Sequence, residues 1–251
     1  MNFFKRLFSI KEEQECKPTS EELDHIVNSF IANYRKASIA QVGNCQPPDD
    51  PLASWFCGRG VKLPSEDIPL YDGLPLFPLL QVNCAELPFR PPELAKTAFL
   101  VVWFNNKLDV IYDAPNGESW LVREYPTLDG LAPVERCQKP KFLKSCPITW
   151  TLSEIESPCW DEVEGIIDFG TLSRESISEA DTEYLMDRFT CHEDTKIGGY
   201  PALIQYELSI SGSFVFQIGS ENEVNLNMGD GGTLYFLKND RNEWVMDFQC
   251  Y

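Results

Sequence analysis

Histidine is scarce in this chain: there are two, His25 and His192. Ser–His or Cys–His nucleophilic chemistry therefore has few possible bases, and no Gly-x-Ser-x-Gly elbow is present to hold a serine. The nine cysteines (Cys16, Cys45, Cys57, Cys84, Cys137, Cys146, Cys159, Cys191 and Cys250) contain no Cys-x-x-Cys pair, so the usual zinc and redox spacings are missing. Basic residues are few, 21 Lys and Arg against 39 Asp and Glu, for a formal net charge of −18. A phosphate backbone is bound by clustered Lys and Arg, so nucleic acid is excluded as a partner. Small ligands, cations or a basic protein partner remain. No apolar run approaches the roughly 20 residues that span a bilayer, so no transmembrane segment is expected. The longest, residues 99–104, fits a buried strand. Asn-x-Ser/Thr is absent, and residues 1–10, broken by Lys5 and Arg6, do not read as a signal peptide. Thiols in odd number and wide spacing suit a reducing compartment, where Cys serves as a small buried hydrophobe. Together these absences predict a cytoplasmic protein without cofactor, metal or catalytic set.

What is present is material for a core. Hydrophobic residues make up 43% and aromatics 12% of 251 residues, too much for disorder and enough for one domain. Residues 1–18 read as a tail whose Phe3, Phe4, Leu7, Phe8 and Ile10 fold back on that domain; a membrane touch is the alternative. A helix is predicted over 19–37. Thr19 and Glu22 have capping-box spacing, and Leu23, Ile26, Val27, Phe30, Ile31 and Tyr34 share one face. Arg35 and Lys36 suit the negative end of its dipole. His25 reads as a surface residue on that helix. Residues 44–78 are rich in proline and read as irregular with short strands. Strands are predicted at 79–84, 97–104, 108–112 and 120–125. Residues 145–173 hold no Lys or Arg but Glu154, Glu156, Asp161, Glu162, Glu164 and Asp168. This acidic segment reads as a solvated face that steers a basic protein partner. A second helix is predicted over 178–189, capped by Ser178 with Asp181. Strands follow at 202–209, 214–218, 233–237 and 244–248. The fold class is α+β: predominantly antiparallel sheet, with one N-terminal and one or two further helices.

Two stretches rhyme. Gly73-Leu74-Pro75 leads to Pro78-Leu79-Leu80-Gln81-Val82 and then Thr97-Ala98-Phe99-Leu100, closing at Asn105-Asn106. Gly199-Tyr200-Pro201 leads to Phe214-Val215-Phe216-Gln217-Ile218 and then Thr233-Leu234-Tyr235-Phe236, closing at Asn239-Asp240. This predicts an internal duplication: a β-unit at about 60–125 and a second at about 196–251, packed around a shared core.

The same residues carry a family resemblance. Leu79-Leu80-Gln81-Val82-Asn83-Cys84-Ala85-Glu86-Leu87-Pro88 resembles the signature of the YwqG-like family, a bacterial group with a domain of unknown function. Lys196-Ile197-Gly198-Gly199-Tyr200-Pro201 is similar to its second Gly-Gly-x-Pro element, and Gly229-Asp230-Gly231-Gly232-Thr233-Leu234-Tyr235-Phe236 to its closing strand. The ordered matches run from about 60 to 250. The first-half Gly-Gly-x-Pro is replaced by Asp72-Gly73-Leu74-Pro75, and the first-half Gly-x-Leu-Gln-Phe-Phe strand by residues 97–104. The resemblance implies an α+β fold dominated by antiparallel sheet and brings no reaction.

Candidate ligand-binding residues are few. Gly198 and Gly199 after Lys196 can present backbone N–H groups to an anion beside a cationic charge, although no phosphate-loop motif is present; the plainer reading is a turn leading into a strand. Asn225, Asn227 and Asp230 sit in a glycine-rich turn, but the sixth and twelfth positions from Asn225 are Asp230 and Phe236, so a calcium loop fails. Cys191 and His192 are adjacent in an extended segment and point to opposite faces, which disfavours a dyad. Lys196, Gly198, Gly199, Asp230 and Gln81 are therefore the residues expected to line a cleft between the two β-units, if ligand binding rather than a protein interaction is the role.

Overall fold

The computed structural model describes residues 18–43, 50–57, 59–111, 114–134, 138–205 and 207–251. The expected tail up to residue 17, with Cys16, and also Cys45 and Cys137, lies outside them.

Helix α1 (Ser20–Ala32) starts where its capping box places it. Glu22 N donates to Thr19 Oγ1 at 3.2 Å, and Thr19 N donates to Glu22 Oε2 at 2.8 Å. It buries Ile26 and Phe30. It stops short of residue 37: Asn33 Nδ2 bonds Ser29 O at 2.8 Å, and the chain turns into a strand at Arg35. Ala37, Ser38, Ile39 and Ala40 are buried between two neighbouring strands. That burial outweighs a helical continuation whose propensity is only fractions of a kcal/mol per residue.

The strands are β1 (Arg35–Val42), β2 (Trp55–Phe56), β3 (Val61–Lys62), β4 (Leu70–Tyr71), β5 (Leu74–Pro75), β6 (Phe77–Asn83), β7 (Phe99–Phe104), β8 (Trp120–Tyr125), β9 (Ala132–Pro133), β10 (Cys146–Glu156), β11 (Lys196–Gly198), β12 (Ser213–Gly219), β13 (Thr233–Lys238) and β14 (Trp244–Gln249). Helix α2 (Glu179–Met186) is capped by Ser178, whose Oγ accepts from Asp181 N at 3.2 Å. Ten strands form one antiparallel sheet in the order β14-β13-β12-β11-β1-β10-β2-β6-β7-β8.

Three expectations are corrected. The acidic segment is not simply a solvated face: Cys146–Glu156 within it form β10, at the centre of the sheet between β1 and β2. Residues 202–205 and 207–209, the described part of the expected strand at 202–209, are not in a strand. Their backbone is satisfied by side chains of β14: Gln249 Oε1 accepts from Ile204 N and Gln205 N, and Asp247 Oδ2 from Ser209 N at 2.6 Å. Residues 108–111 are not one either. Leu108 has φ of +57°, and Asn105 Oδ1 accepts from Lys107 N and Asp109 N, wrapping the chain locally, so β8 takes the edge of β7.

The two outer halves of the sheet share a pairing scheme. β6 pairs β7 with an irregularity between Pro78 and Leu80; β12 pairs β13 with one between Phe214 and Phe216. Gln81 stands opposite Trp55 and Val101, while Gln217 stands opposite Lys196 and Tyr235. Gln81 Oε1 accepts from Gly60 N at 2.7 Å and Nε2 donates to Pro51 O and Ala53 O. Gln217 Oε1 accepts from Ala202 N at 2.9 Å and Nε2 donates to Glu193 O and Asp194 O. Each glutamine thus holds the loops flanking the short strand beside it. Gly73-Leu74-Pro75, by contrast, belongs to the separate β4–β5 hairpin.

One core draws on both halves, with Phe56, Leu80, Val102, Trp120 and Val122 meeting Ile197, Phe216, Ile218, Leu234 and Phe236. The sheet curls until its ends meet: Trp120 packs edge-on to Phe236 at 5.7 Å, and Lys238 Nζ reaches Glu124 Oε1 at 2.8 Å. The outer face of the first half is apolar, with Val61, Phe99, Val101 and Trp103 buried beneath loop residues such as Leu52 and Leu131. The outer face of the second half is polar. A third cluster joins Ile26 and Phe30 of α1 to Val163, Ile167, Ile177 and Leu185.

Candidate functional site

The polar outer face of the second half starts at Lys196. A lysine in a central, short strand has no route to solvent, and Lys196 is fully buried. Its Nζ donates to Glu156 Oε2 at 2.5 Å, and Glu156, the last residue of β10, is equally buried. The other carboxylate oxygen, Oε1, bonds His192 Nδ1 and accepts from His192 N at 3.4 Å. Such a charge pair is held by geometry and by hydrogen bonds to the remaining lone pairs, since desolvation alone costs several kcal/mol per ion. Gly199 lies directly on Glu156: a Cβ there would sit 2.8 Å from Glu156 Cγ.

Two thiols adjoin this pair. Cys159 Sγ and Cys191 Sγ are 3.0 Å apart, and Cys159 Sγ is 3.2 Å from Pro201 O. Lys196 Nζ lies 3.7 Å from Cys191 Sγ. The hydrogen bond from Cys191 is the largest influence lowering the Cys159 thiol below its ordinary value, with Lys196 adding to it. The same bond and burial raise Cys191. Tyr235, whose hydroxyl donates to Ala202 O at 2.6 Å, is also raised, chiefly by burial.

Above Gly199 opens a cavity of about 760 Å³. Its floor is Gly198, Gly199, Tyr200 and Pro201, and its walls bring together Phe89, Pro92 and Glu93 from the first half, Glu162, Glu164 and Ile166 after β10, and Glu207, Leu208 and Phe214. Arg35 and Lys36, the expected last turn of α1, stand instead at its rim as the first residues of β1. Arg35 lies 3.9 Å over the Tyr200 ring, a cation–π contact, and Lys36 pairs with Glu154 at 2.6 Å. Among the described residues, Glu162 Oε2 is buried without a hydrogen-bond partner. Burial pushes its carboxyl up to about 7, with Glu207 adding to the shift against the opposing charges of Arg35 and Lys196. Four carboxylates (Glu93, Glu162, Glu164 and Glu207) thus face two cations, and both cations already have partners.

The residues expected at a cleft separate accordingly. Gly198 and Gly199 line the cavity. Gly198 adopts φ of +84°, and a Cβ would meet Phe89 Cε1 at 2.6 Å, so glycine is required there. Lys196 lies beneath the floor with its ammonium turned to Glu156. Gln81 is buried in the first half, bonded to backbone. Asp230 is exposed in the turn before β13, at the far end of β12 from the cavity, where its carbonyl accepts from Tyr251 N at 3.0 Å. His192 and Cys191 do not face each other; each meets the Glu156–Lys196 pair separately. Glu156 and Glu162 stood out in the sequence only as members of the acidic face, whose paired carboxylates read as solvated rather than catalytic, and Cys159 did not stand out. The usable signal was Lys196 itself, a lone cation inside an apolar strand that needs a buried carboxylate. Among the described residues no group of three or more His, Cys, Asp and Glu side chains is placed to hold a metal ion, and no helix is long and apolar enough to cross a membrane.

A family model described as a domain of unknown function (DUF1963) matches residues 54–249. The match takes in both halves of the sheet and β10, and leaves α1 and β1 outside. No curated protein matches the chain.

Proposed function

The chain belongs to the DUF1963 family of domains of unknown function, and on that footing we propose that it is a noncatalytic binding module whose cavity receives a cationic group. The observation that carries this reading is Glu162 Oε2, a buried acceptor without a partner on the wall of a cavity of about 760 Å³. That volume lies in the range of small-molecule sites, about 300–1,000 Å³. An ammonium or guanidinium donor satisfies Glu162 and adds favourable charge to Glu164 and Glu207. Tyr200 offers the aromatic wall against which such groups stack.

Calorimetric titration with putrescine and with agmatine in about 0.15 M salt, where surface charge is screened, tests this. Saturable one-site binding, weakened at least tenfold in Glu162→Gln, is expected. Because the Glu162 carboxyl must ionise to hold a cation, affinity should rise as pH passes about 7, with proton release. Binding that Glu162→Gln leaves unchanged removes the reading.

A second reading is a basic protein partner, one form being an immunity-type neutraliser of a toxin. The exposed Glu154, Glu164 and Glu207 around the cavity and the net charge of −18 favour it. A low-salt pull-down that yields no basic protein counts against it. The finer assignment to the YwqG-like group rests on the ordered motifs at 79–88, 196–201 and 229–236. The matching register and matching glutamines of the two halves support an internal duplication. A cytoplasmic location is supported by the free thiols Cys84, Cys146, Cys159, Cys191 and Cys250 among the described residues.

A further inference from the structure

We propose that Cys159 and Cys191 are a redox pair that a hydroperoxide converts to a disulfide, tying the segment after β10 to the segment leading into β11. Four observations carry this. The two sulfurs are 3.0 Å apart although 32 residues separate them in sequence. Both residues are half-buried, so a small oxidant can reach them. Their segments are already stitched together, since Ser157 N donates to Thr190 O at 2.8 Å and Ser157 Oγ to the same oxygen at 3.2 Å. Finally, the surroundings distinguish the two thiols. The bond between them favours a thiolate on Cys159, while that same bond and burial hold the proton on Cys191 against the opposing pull of the Lys196 ammonium 3.7 Å away. Two other described thiols are disfavoured: burial pushes Cys84 up to about 11 and raises Cys146 as well. Thiolate character and access select which cysteine is oxidised.

The chemistry closes with hydrogen peroxide as the oxidant. The Cys159 thiolate attacks a peroxide oxygen; an S–O bond forms, the O–O bond breaks, and the departing hydroxide takes a proton to become water. Sulfur gives up two electrons and the peroxide gains them. The Cys191 sulfur then attacks the sulfenic sulfur of Cys159. An S–S bond forms, the S–O bond breaks, and the leaving hydroxide takes the Cys191 proton as a second water. Dithiol and hydrogen peroxide thus become disulfide and two waters, and an external dithiol reverses the step. The loop so closed carries Glu162, Glu164 and α2, and Pro201 O, which both thiols approach, lines the cavity floor. Oxidation therefore acts on the wall of the cavity, whatever ligand the cavity takes.

The test uses the full chain, treated with one equivalent of hydrogen peroxide and analysed by intact mass and non-reducing peptide mapping. The expected product has lost two hydrogens, carries a Cys159–Cys191 crosslink, and reverts with dithiothreitol. In Cys191→Ser, dimedone should trap a sulfenic acid on Cys159; in Cys159→Ser, no crosslink should form. Independently of any variant, residue-resolved alkylation of the untreated protein should label Cys159 at least tenfold faster than Cys84 or Cys146. Its rate should rise with pH to a midpoint below the ordinary thiol value of about 8.5. A crosslink between any other pair, or a Cys159 no faster than those two thiols, overturns the assignment.

Discussion

Replacing Lys196 with methionine removes one charge from a place where no water can compensate. Methionine keeps the length of the lysine stem, so packing changes little, and the loss is that of the ammonium alone. Glu156 then remains fully buried with His192 as its surviving side-chain partner. Breaking a buried ion pair by removing one member costs about 3–5 kcal/mol, most of it the uncompensated charge left behind. For a chain of this length each kcal/mol lowers the melting temperature by about 2–4 °C, so Lys196→Met should melt roughly 6–20 °C below the parent. The measurement is thermal and urea unfolding followed by circular dichroism near pH 7. The double variant Glu156→Gln with Lys196→Met separates charge from shape. If the cost is the orphaned carboxylate, the double variant is more stable than Lys196→Met alone, a coupling of at least about 1–2 kcal/mol. A single variant within about 1 kcal/mol of the parent, or two single costs that simply add, would refute the account of a charge pair held by its geometry.

Glu162→Gln should stabilise the protein at pH 8 by about 1–2 kcal/mol, after discounting for its partial exposure, and leave it unchanged at pH 4. The sign follows from the raised carboxyl: the folded state keeps a proton that the unfolded state releases between about pH 4.5 and 7, so stability falls across that window as pH rises. Urea titrations at the two pH values decide it. Gln81→Ala and Gln217→Ala should each cost about 2–4 kcal/mol, because each strands three or more backbone groups. A large loss at one glutamine and none at the other would undo their equivalence. Gly198→Ala should cost about 2–4 kcal/mol through its contact with Phe89 and its positive φ, whereas Gly73→Ala, with φ of +73° and open space around it, should cost only about 1–2. Melting curves of the two proteins provide the comparison.

Local chemistry made much of the fold legible. The Thr19–Glu22 box, the Ser178 cap and the short apolar runs of β6, β12, β13 and β14 between turns are each written within a few residues. The end of α1 was not, because Arg35 and Lys36 suit a helix terminus as well as a strand, and only burial of Ala37 to Ala40 decides. Strand β10 was hidden by its composition: Glu154 and Glu156 read as a solvated face, yet Glu154 is exposed while Glu156, where the pairing with β1 is irregular, is fully buried. The candidate site was the least legible part. Glu156 meets Lys196 across 40 residues and Cys159 meets Cys191 across 32, with no motif spacing to announce either. Asp230 and Gln81 looked like site residues because turn glycines and a buried amide are conspicuous in sequence, but their hydrogen bonds serve backbone.

The two halves also argue where function lies. Trp55 and Lys196 occupy the same register position, each opposite a glutamine that reaches out to hold the neighbouring loops. The first half completes its outer face with apolar residues such as Val61, Val101 and Trp103. The backbone scheme therefore has no need of charge at this position. Apolar side chains of similar volume are often as stabilising as a buried ion pair, or more so. The second half nevertheless places Lys196, Glu156, His192 and two thiols there, directly beneath a cavity walled by an unpartnered carboxylate. Stability gives no reason for that asymmetry, since the apolar solution stands in the same chain. The proposed cation binding and thiol oxidation at the cavity give one, which is why the tests converge on Glu162, Cys159 and Lys196 rather than on the glycine-rich turn at Asp230.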